Sequence, residues 1–324
     1  MTTKIYIPRD SSAIGLGADV VADQVSRVSH SMKQEVEIVR NGSRGLIWME
    51  PLLEVETESG RSGFANVNSA DVEDLVKANF TEAGLRAKSV GIVDEIPYLK
   101  NQERLCFARN GITDPISIED YIENEGFKGL RSTLDLDARS IVDIVTDSGL
   151  RGRGGAAFPT GIKWNTVLNC QADQKYIVCN ADEGDSGTFS DRMTMEGDPF
   201  ALIEGMTIAA FAVHATKGYV YLRSEYPHAE EVFNAALDVA RDKGYLGKNI
   251  RGGERSFDIE LRRAAGAYIC GEETSLLESL EGKRGLVRAK PPLPAISGLF
   301  GKPTVVDNVI TFSSVPFILA NGGS

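Results

Sequence analysis

Cysteine is scarce and poorly spaced for chemistry: Cys106, Cys170, Cys179 and Cys270 are the only four, none forms a C-x-x-C pair and none precedes residue 106. That leaves no disulfide framework and no spelled-out iron–sulfur or zinc ligand set, so buried thiols are the expectation. His30, His214 and His228 stand far apart without the rhythm of metal ligands, and no metal site is expected. Basic residues do not cluster, and 35 Lys and Arg against 46 Asp and Glu leave a net charge of −11. With a pI near 5.0, that argues against a nucleic-acid partner. No stretch reaches the roughly 18 consecutive apolar residues that span a membrane, and the opening MTTKIYIPRD has no apolar signal core. A cytoplasmic chain without a membrane partner is expected. Its 324 residues, 42% hydrophobic, suffice for a sizeable core and more than one domain.

Periodicity divides what is present. KIYIPRD reads as a strand, Ala18 to about Ser29 as a helix, and VEIVRNG, LLEVETESG and SGFANV as three more strands; SADVEDLVKANF reads as a helix opening on a Ser cap. This β-α-β-β-β-α unit, residues 1–90, resembles a thioredoxin-like fold. SIEDYIENEGFKGLRSTL and DARSIVDIVTDSGL space their apolar residues three and four apart, which makes residues 91–148 a helical connector and lead-in. From residue 149 to 324, strands (KYIVCNAD, GYVYLRSE, SFDIELRR) alternate with helices expected to be amphipathic (ALIEGMTIAAFAVHAT, HAEEVFNAALDVARDKG), which predicts an α/β domain on a largely parallel sheet.

Four segments concentrate chemistry. GRGGAAFPTGIKW, starting at Gly152, brings backbone amides without Cβ obstruction close to Lys163, a pattern suited to a phosphate and more often to a structural turn; it is not a Walker loop. CNADEGDSGTFSDR ends a buried-looking strand in Asn180, Asp182, Glu183 and Asp185, where open α/β sheets collect ligands. Those groups suit sugar hydroxyls, a solvated turn or a metal. GAYICGEETSLLESLEG runs from an apolar stretch into Gly271, Glu272 and Glu273, acids that also favour a helix start. The last, Arg288 to Ala295 followed by GLFGKPTVVDNVIT, is too rich in Pro and Gly for regular structure and reads as a wall or lid loop carrying Lys290.

In this order the four segments resemble the NADH-binding flavoprotein subunit of respiratory complex I, and more closely its soluble relatives. Those are the diaphorase subunits of NAD-reducing hydrogenases and the beta subunit of NAD-dependent molybdenum formate dehydrogenases. The resemblance covers about Ser117 to Asn321. It implies a Rossmann-like FMN- and NADH-binding α/β domain behind a thioredoxin-like domain without cluster cysteines. It places the FMN phosphate and ribityl chain near Gly152, Gly154, Gly155 and Lys163, with Asn180, Asp182 and Glu183 on the flavin side and Gly271, Glu272, Glu273, Asn308 and Thr311 completing the pocket. For NAD(H) it implies Phe158, which would stack on a ring, Asp185 and Lys290. Glu183 and Asp185 are its positioning and electrostatic candidates in hydride transfer. Asp185, Ala157, Leu293 and Asp307 depart from the family pattern; Asp307, a carboxylate near a phosphate, is left out of the site.

The resemblance further implies iron–sulfur partners: a small [2Fe–2S] thioredoxin-like gamma subunit and a catalytic alpha subunit. A [4Fe–4S] cluster is expected only in a C-terminal part that follows a ubiquitin-like domain, which makes this polypeptide a fragment. The fused, cysteine-free first domain favours formate dehydrogenase as the terminal enzyme over hydrogenase. A flavin-free scaffold and a phosphate-binding NTPase are the competing classes.

Overall fold

The computed structural model describes residues 2–185 and 187–323. Contacts divide the chain into two units, residues 1–115 and 116–324.

In the first unit, strand β1 (Thr3–Tyr6) pairs in parallel with β2 (Val36–Val39) and antiparallel with β3 (Leu53–Thr57). β4 (Gly60–Phe64) and β5 (Ser89–Ile92) extend the sheet antiparallel, in the order β2-β1-β3-β4-β5. The helix Ala18–Ser31 puts Val21 and Val25 at helical spacing into a core with Ile5, Leu53, Val55 and Phe64. The helix Val72–Lys77 starts later than its sequence suggests. Its N-cap is Asp71, not Ser69, and no side chain bonds there. Strand β5 and the turn of helix Pro97–Lys100 carry this unit past residue 90, because Val93, Ile96 and Leu99 pack with Leu46 and Leu52.

The second unit is built on four strands, β6 (Tyr176–Ala181), β7 (Lys217–Leu222), β8 (Asp258–Arg263) and β9 (Thr304–Asn308). They pair in parallel throughout, in the order β8-β7-β6-β9. The α/β expectation holds, but β9 corrects the reading of this region as irregular: Thr-Val-Val follows Pro303 as a β-branched run and pairs with β6, while Pro and Gly stop short of it. The helices Ile118–Glu123, Lys128–Thr133 and Ala138–Asp147, expected in a connector, join this unit's core through Ile118, Leu130, Ile141 and Val145.

The helix Pro199–Val213 is not amphipathic. All fifteen of its residues are buried, as expected of a helix apolar on every side. Its one charge, Glu204, accepts from the Tyr121 hydroxyl at 2.6 Å and from the amides of Phe127 and Leu130 at 2.8 Å, so it answers the orphan donors at the start of the 128–133 helix. Gly205 lets the backbone of the helix Val309–Asn321 approach: a Cβ there would stand 2.0 Å from the Phe312 carbonyl oxygen.

Candidate functional site

Parallel strands end their hydrogen bonding abruptly at their carboxyl ends, and the chain leaving β6 and β9 there exposes amides and side chains to a common space. β6 runs out at Asn180–Ala181 and β9 at Asn308, with Asn180 opposite Asn308 in the register. Two adjoining cavities of about 270 and 550 Å3 open at this end and share Gly154, Asn180, Gly271, Glu272 and Asn308. The larger lies within the roughly 300–1,000 Å3 of small-molecule sites. A cavity of about 640 Å3 opens beside Arg139, Lys175 and His214, but Lys175 precedes β6 and His214 precedes β7, so it sits at the opposite ends of the strands.

Every sequence-derived candidate lines one of the two adjoining cavities. The first adds Gly152, Phe158, Lys163, Glu273, Lys290 and Thr311 to the shared residues. The second adds Gly155, Asp182, Glu183 and Asp185.

The glycine loop is closed by the Gly152 amide on the Phe158 carbonyl at 2.9 Å and by a bridge between Arg151 and Pro159, after which the helix Thr160–Asn169 begins. Gly155 and Ala157 have φ of +109° and +52°. Glycine adopts that region without steric cost and alanine does not, which accounts for glycine suiting position 157. A Cβ on Gly154 would stand 3.2 Å from Asn308 Cβ. The loop is anchored where the Arg153 amide donates to Thr311 Oγ1 at 2.9 Å.

Asn308 is the hub of this wall. Its Oδ1 accepts from the Thr311 amide at 3.0 Å, capping the 309–321 helix, and its Nδ2 lies 3.5 Å from Asp191 Oδ1. Glu183 answers another helix start, that of Ser190–Gly197. It accepts from the Ser190 hydroxyl at 3.2 Å, from the amides of Asp191 and Arg192 at 3.1 and 3.3 Å, and from the Tyr226 hydroxyl at 3.1 Å. Asp185 is exposed at the rim, its Oδ1 accepting from the Gly187 amide at 3.1 Å.

The two lysines are not free cations. Lys163 Nζ donates to Asp307 Oδ1 at 2.6 Å, while Trp164 Nε1 donates to the other carboxylate oxygen at 3.0 Å. Lys163 therefore lines the cavity with its charge already matched, and Asp307 is neutralised inside the wall. Lys290 Nζ lies 3.0 Å from Glu272 Oε1 and 2.7 Å from Glu273 Oε1. Glu272 also caps the helix Glu273–Leu280 through the amides of Thr274 and Ser275. Burial opposes its ionisation, but the Thr274 hydroxyl, the Ser275 amide and Lys290 outweigh it and hold Glu272 down at about 2.

Two carboxyls move the other way. Burial raises Asp182 to about 6, against the pull of Arg223. Burial, and then the Glu183 carboxylate, raise Asp191 to about 8, against a hydrogen bond from the Ile310 amide. Sequence reasoning passed over Asp191 because nothing local marks it: a helix turn carries it back beside Glu183. Tyr268, 79% exposed, was also passed over, although a Cβ on Gly184 would meet its ring at 2.7 Å.

A family model described as the Nuo51 FMN-binding domain matches residues 145–317, more than half of the chain and all of this site. The chain belongs to the Nuo51 FMN-binding family. It is 53% identical to the NADP-reducing hydrogenase subunit HndC of Solidesulfovibrio fructosivorans, over 69% of this chain and 45% of that protein. It is 50% identical to an NADH-quinone oxidoreductase subunit of Aquifex aeolicus, over 64% of this chain and 48% of that one. The chain thus spans about half the length of the curated relatives it matches. Among solved structures, a NAD+-reducing [NiFe]-hydrogenase in the air-oxidised state aligns with 99% of this chain and 53% of its own, at TM-score 0.56 and 27% identity.

The residues of this Nuo51-family site suit FMN. Asp182 Oδ2 is buried without a hydrogen-bond partner among the described residues, an acceptor left over for a ligand's N–H or O–H. The glycine loop offers amides where side chains would obstruct a phosphate. Among the described residues, no group of three or more His, Cys, Asp or Glu is placed to hold a metal ion, and no helix is long and apolar enough to cross a membrane.

Proposed function

We propose that this chain is the NAD(H)-oxidising, FMN-holding module of a multisubunit enzyme, exchanging a hydride between NAD(H) and FMN and passing single electrons to iron–sulfur partners. The observation that carries this reading is the convergence of all its candidate residues on two adjoining cavities that share Gly154, Asn180, Gly271, Glu272 and Asn308. Together the two cavities suit a flavin and the nucleotide that must lie against it.

FMN, when bound, supplies the hydride-accepting ring and the change from two-electron to one-electron transfer. The chain binds and orients. The amides of Gly154 and Gly155, in the loop that Gly152 closes, and the Asn308 and Thr311 side of the wall face the phosphate and ribityl end. Asp182 and Asn180 present polar atoms to the ring, and Gly271 leaves room beside Asp182, its absent Cβ 3.4 Å from that carbonyl. Phe158, 45% exposed at the mouth, stacks on a ring of the nucleotide and excludes water. Asp185, Glu273 and Lys290 meet its ribose and phosphates. Glu183 acts electrostatically and by holding the 190–197 helix in place, not as a proton donor.

The first unit we read as thioredoxin-like, on its β2-β1-β3-β4 order with one parallel and two antiparallel pairings. Its lack of cysteine before Cys106 makes it structural. The fused, cluster-free unit supports a formate dehydrogenase as the terminal enzyme, with a [2Fe–2S] gamma subunit and a catalytic alpha subunit as partners. Likeness to hydrogenase subunits supports hydrogen as the other electron source.

Anaerobic titration of the FMN-loaded chain with NADH tests the core of this reading. Loss of oxidised flavin absorbance at about one NADH per flavin is expected; a bound flavin that NADH leaves oxidised overturns it. NAD+ reduction by the purified complex with formate, and separately with hydrogen, decides the terminal enzyme.

A further inference from the structure

Two carboxyls stand at two helix starts in the inner wall of the candidate site. Glu183, 9% exposed, accepts four hydrogen bonds around the amino end of the 190–197 helix. Asp191, in the first turn of that helix and 6% exposed, faces the next amino end, that of the thirteen-residue 309–321 helix, through Asn308 Nδ2 and the Ile310 amide. Glu183 is fully engaged as an acceptor, which suits its ionised form. A second buried negative charge beside it is costly, so one of the two carries the proton, and the bonding leaves that role to Asp191.

The groups facing Asp191 do not offset this. Arg192 on its own helix pairs with Glu196 at 3.3 Å. Cys179 on β6 is fully buried, its thiol pushed up by that burial and by Asp191 and Asp307, and Asp307 is itself held by Lys163. Tyr226 donates to Glu183. The 309–321 helix contains no titratable residue, and Glu204, the one carboxylate of the 199–213 helix, is held by Tyr121, Phe127 and Leu130.

A helix amino end carries about half a positive charge and serves one anion well. Resting on the FMN reading above, we infer that Asp191 is a positioning residue for the cofactor's phosphate end. Uncharged, it leaves Asn308 and the start of the 309–321 helix to the phosphate; ionised, it takes that positive end for itself and repels the ligand. FMN binding is therefore linked to a proton on the protein, although Asp191 itself need not touch the cofactor. The Asn308–Thr311–Arg153 chain of contacts transmits the change to the glycine loop.

The test is FMN affinity by flavin fluorescence quenching from pH 7 to 9.5, where the phosphate is already dianionic, in the full chain and in Asp191→Asn. The wild-type Kd is expected to be level near pH 7 and to rise towards about tenfold per pH unit above about 8. In Asp191→Asn it stays tight and flat, and riboflavin, which lacks the phosphate, shows a smaller dependence than FMN in wild type. Near-UV circular dichroism checks the variant's fold. Should it not fold, calorimetry of wild type at pH 8.5 in two buffers of different ionisation enthalpy serves instead, with proton uptake on FMN binding expected. Parallel pH profiles in wild type and variant, or binding without proton uptake, overturn this inference and leave the proposed function standing. No FMN binding at any pH overturns both.

Discussion

Lys163 and Asp307 form an ion pair inside the cofactor wall, Nζ to Oδ1 at 2.6 Å, with the carboxylate only 1% exposed and Trp164 Nε1 on its second oxygen. A lysine beside a glycine loop suggests a phosphate ligand, yet its charge is cancelled before any ligand arrives. Asp307→Asn keeps an oxygen for Trp164 and leaves the ammonium uncompensated, held only by the Val306 carbonyl. It is expected to tighten FMN binding about three- to tenfold, some 0.7–1.4 kcal/mol, while costing about 1–3 kcal/mol of stability through the lost charge-assisted bond. Unchanged or weaker FMN affinity in a folded variant would show that Lys163 does not act on the phosphate.

Glu50 in the first unit gives a pH dependence of opposite sign to an ordinary ion-paired acid. Burial, then the Asp10 carboxyl, raise it from 4.5 to about 8, against the Leu52 amide and the Ser43 hydroxyl. The unfolded chain ionises this group first, so its effect on stability worsens as pH rises from about 4.5 to about 8 and is constant beyond. Glu50→Gln mimics the protonated acid. It is expected to be about 1–3 kcal/mol more stable than wild type at pH 9 and nearly equal at pH 4. Urea unfolding at the two pH values checks this; a variant less stable at pH 9 contradicts it.

Glu272 behaves in the other sense. Its folded value of about 2 lies below the usual 4.5, so the stability it contributes is present above about pH 4.5 and lost as pH falls through about 2. Glu272→Gln removes the charge at the start of the 273–280 helix and half the counter-charge of Lys290. A loss of about 0.5–2 kcal/mol at pH 6, shrinking at pH 3, is expected from thermal melts. A pH-independent loss would mean that packing, not charge, is what Glu272 supplies.

Gly205 is where two helices touch backbone to backbone. Gly205→Ala puts a methyl 2.0 Å from the Phe312 carbonyl oxygen, and about 3 kcal/mol of overpacking is expected in chemical denaturation. Because the 309–321 helix carries Thr311, the loss should reach FMN affinity as well. A variant with wild-type stability would mean that the two helices slide apart at little cost.

The carboxylates Asp185, Glu272 and Glu273 line the two adjoining cavities, and carboxylates there would oppose a 2′-phosphate on the nucleotide's ribose. Stopped-flow reduction of the bound flavin is expected to be at least about tenfold faster with NADH than with NADPH. A relative 53% identical is named NADP-reducing, which makes the direct comparison worthwhile. Equal rates would remove the carboxylates from coenzyme choice.

Much of this was legible because its signals are local. Alternation and helical spacing mark β1 to β4 and β6 to β8, and the glycine loop and the Asn180–Asp185 turn announce themselves as short motifs. What escaped depends on distance in sequence. β9 hides behind a Pro- and Gly-rich approach until β6 pairs with it. The 199–213 helix looks two-faced until six other helices and the sheet pack around it. Asp191 and the Lys163–Asp307 pair acquire meaning only from neighbours that no spacing rule connects, since the partner lies on another element and the shift in charge comes from burial.

The bond from the Arg153 amide to Thr311 spans 158 positions, and β9 takes its place beside β6 only after β7 and β8 have been made. During synthesis the glycine loop leaves the ribosome long before the segment that shapes it. Until Thr304–Thr311 follows, the second unit has three strands and no cofactor wall. Flavin capture is thus deferred until β9 is made, and a ligand present at that moment would favour the docking of this strand over its alternatives.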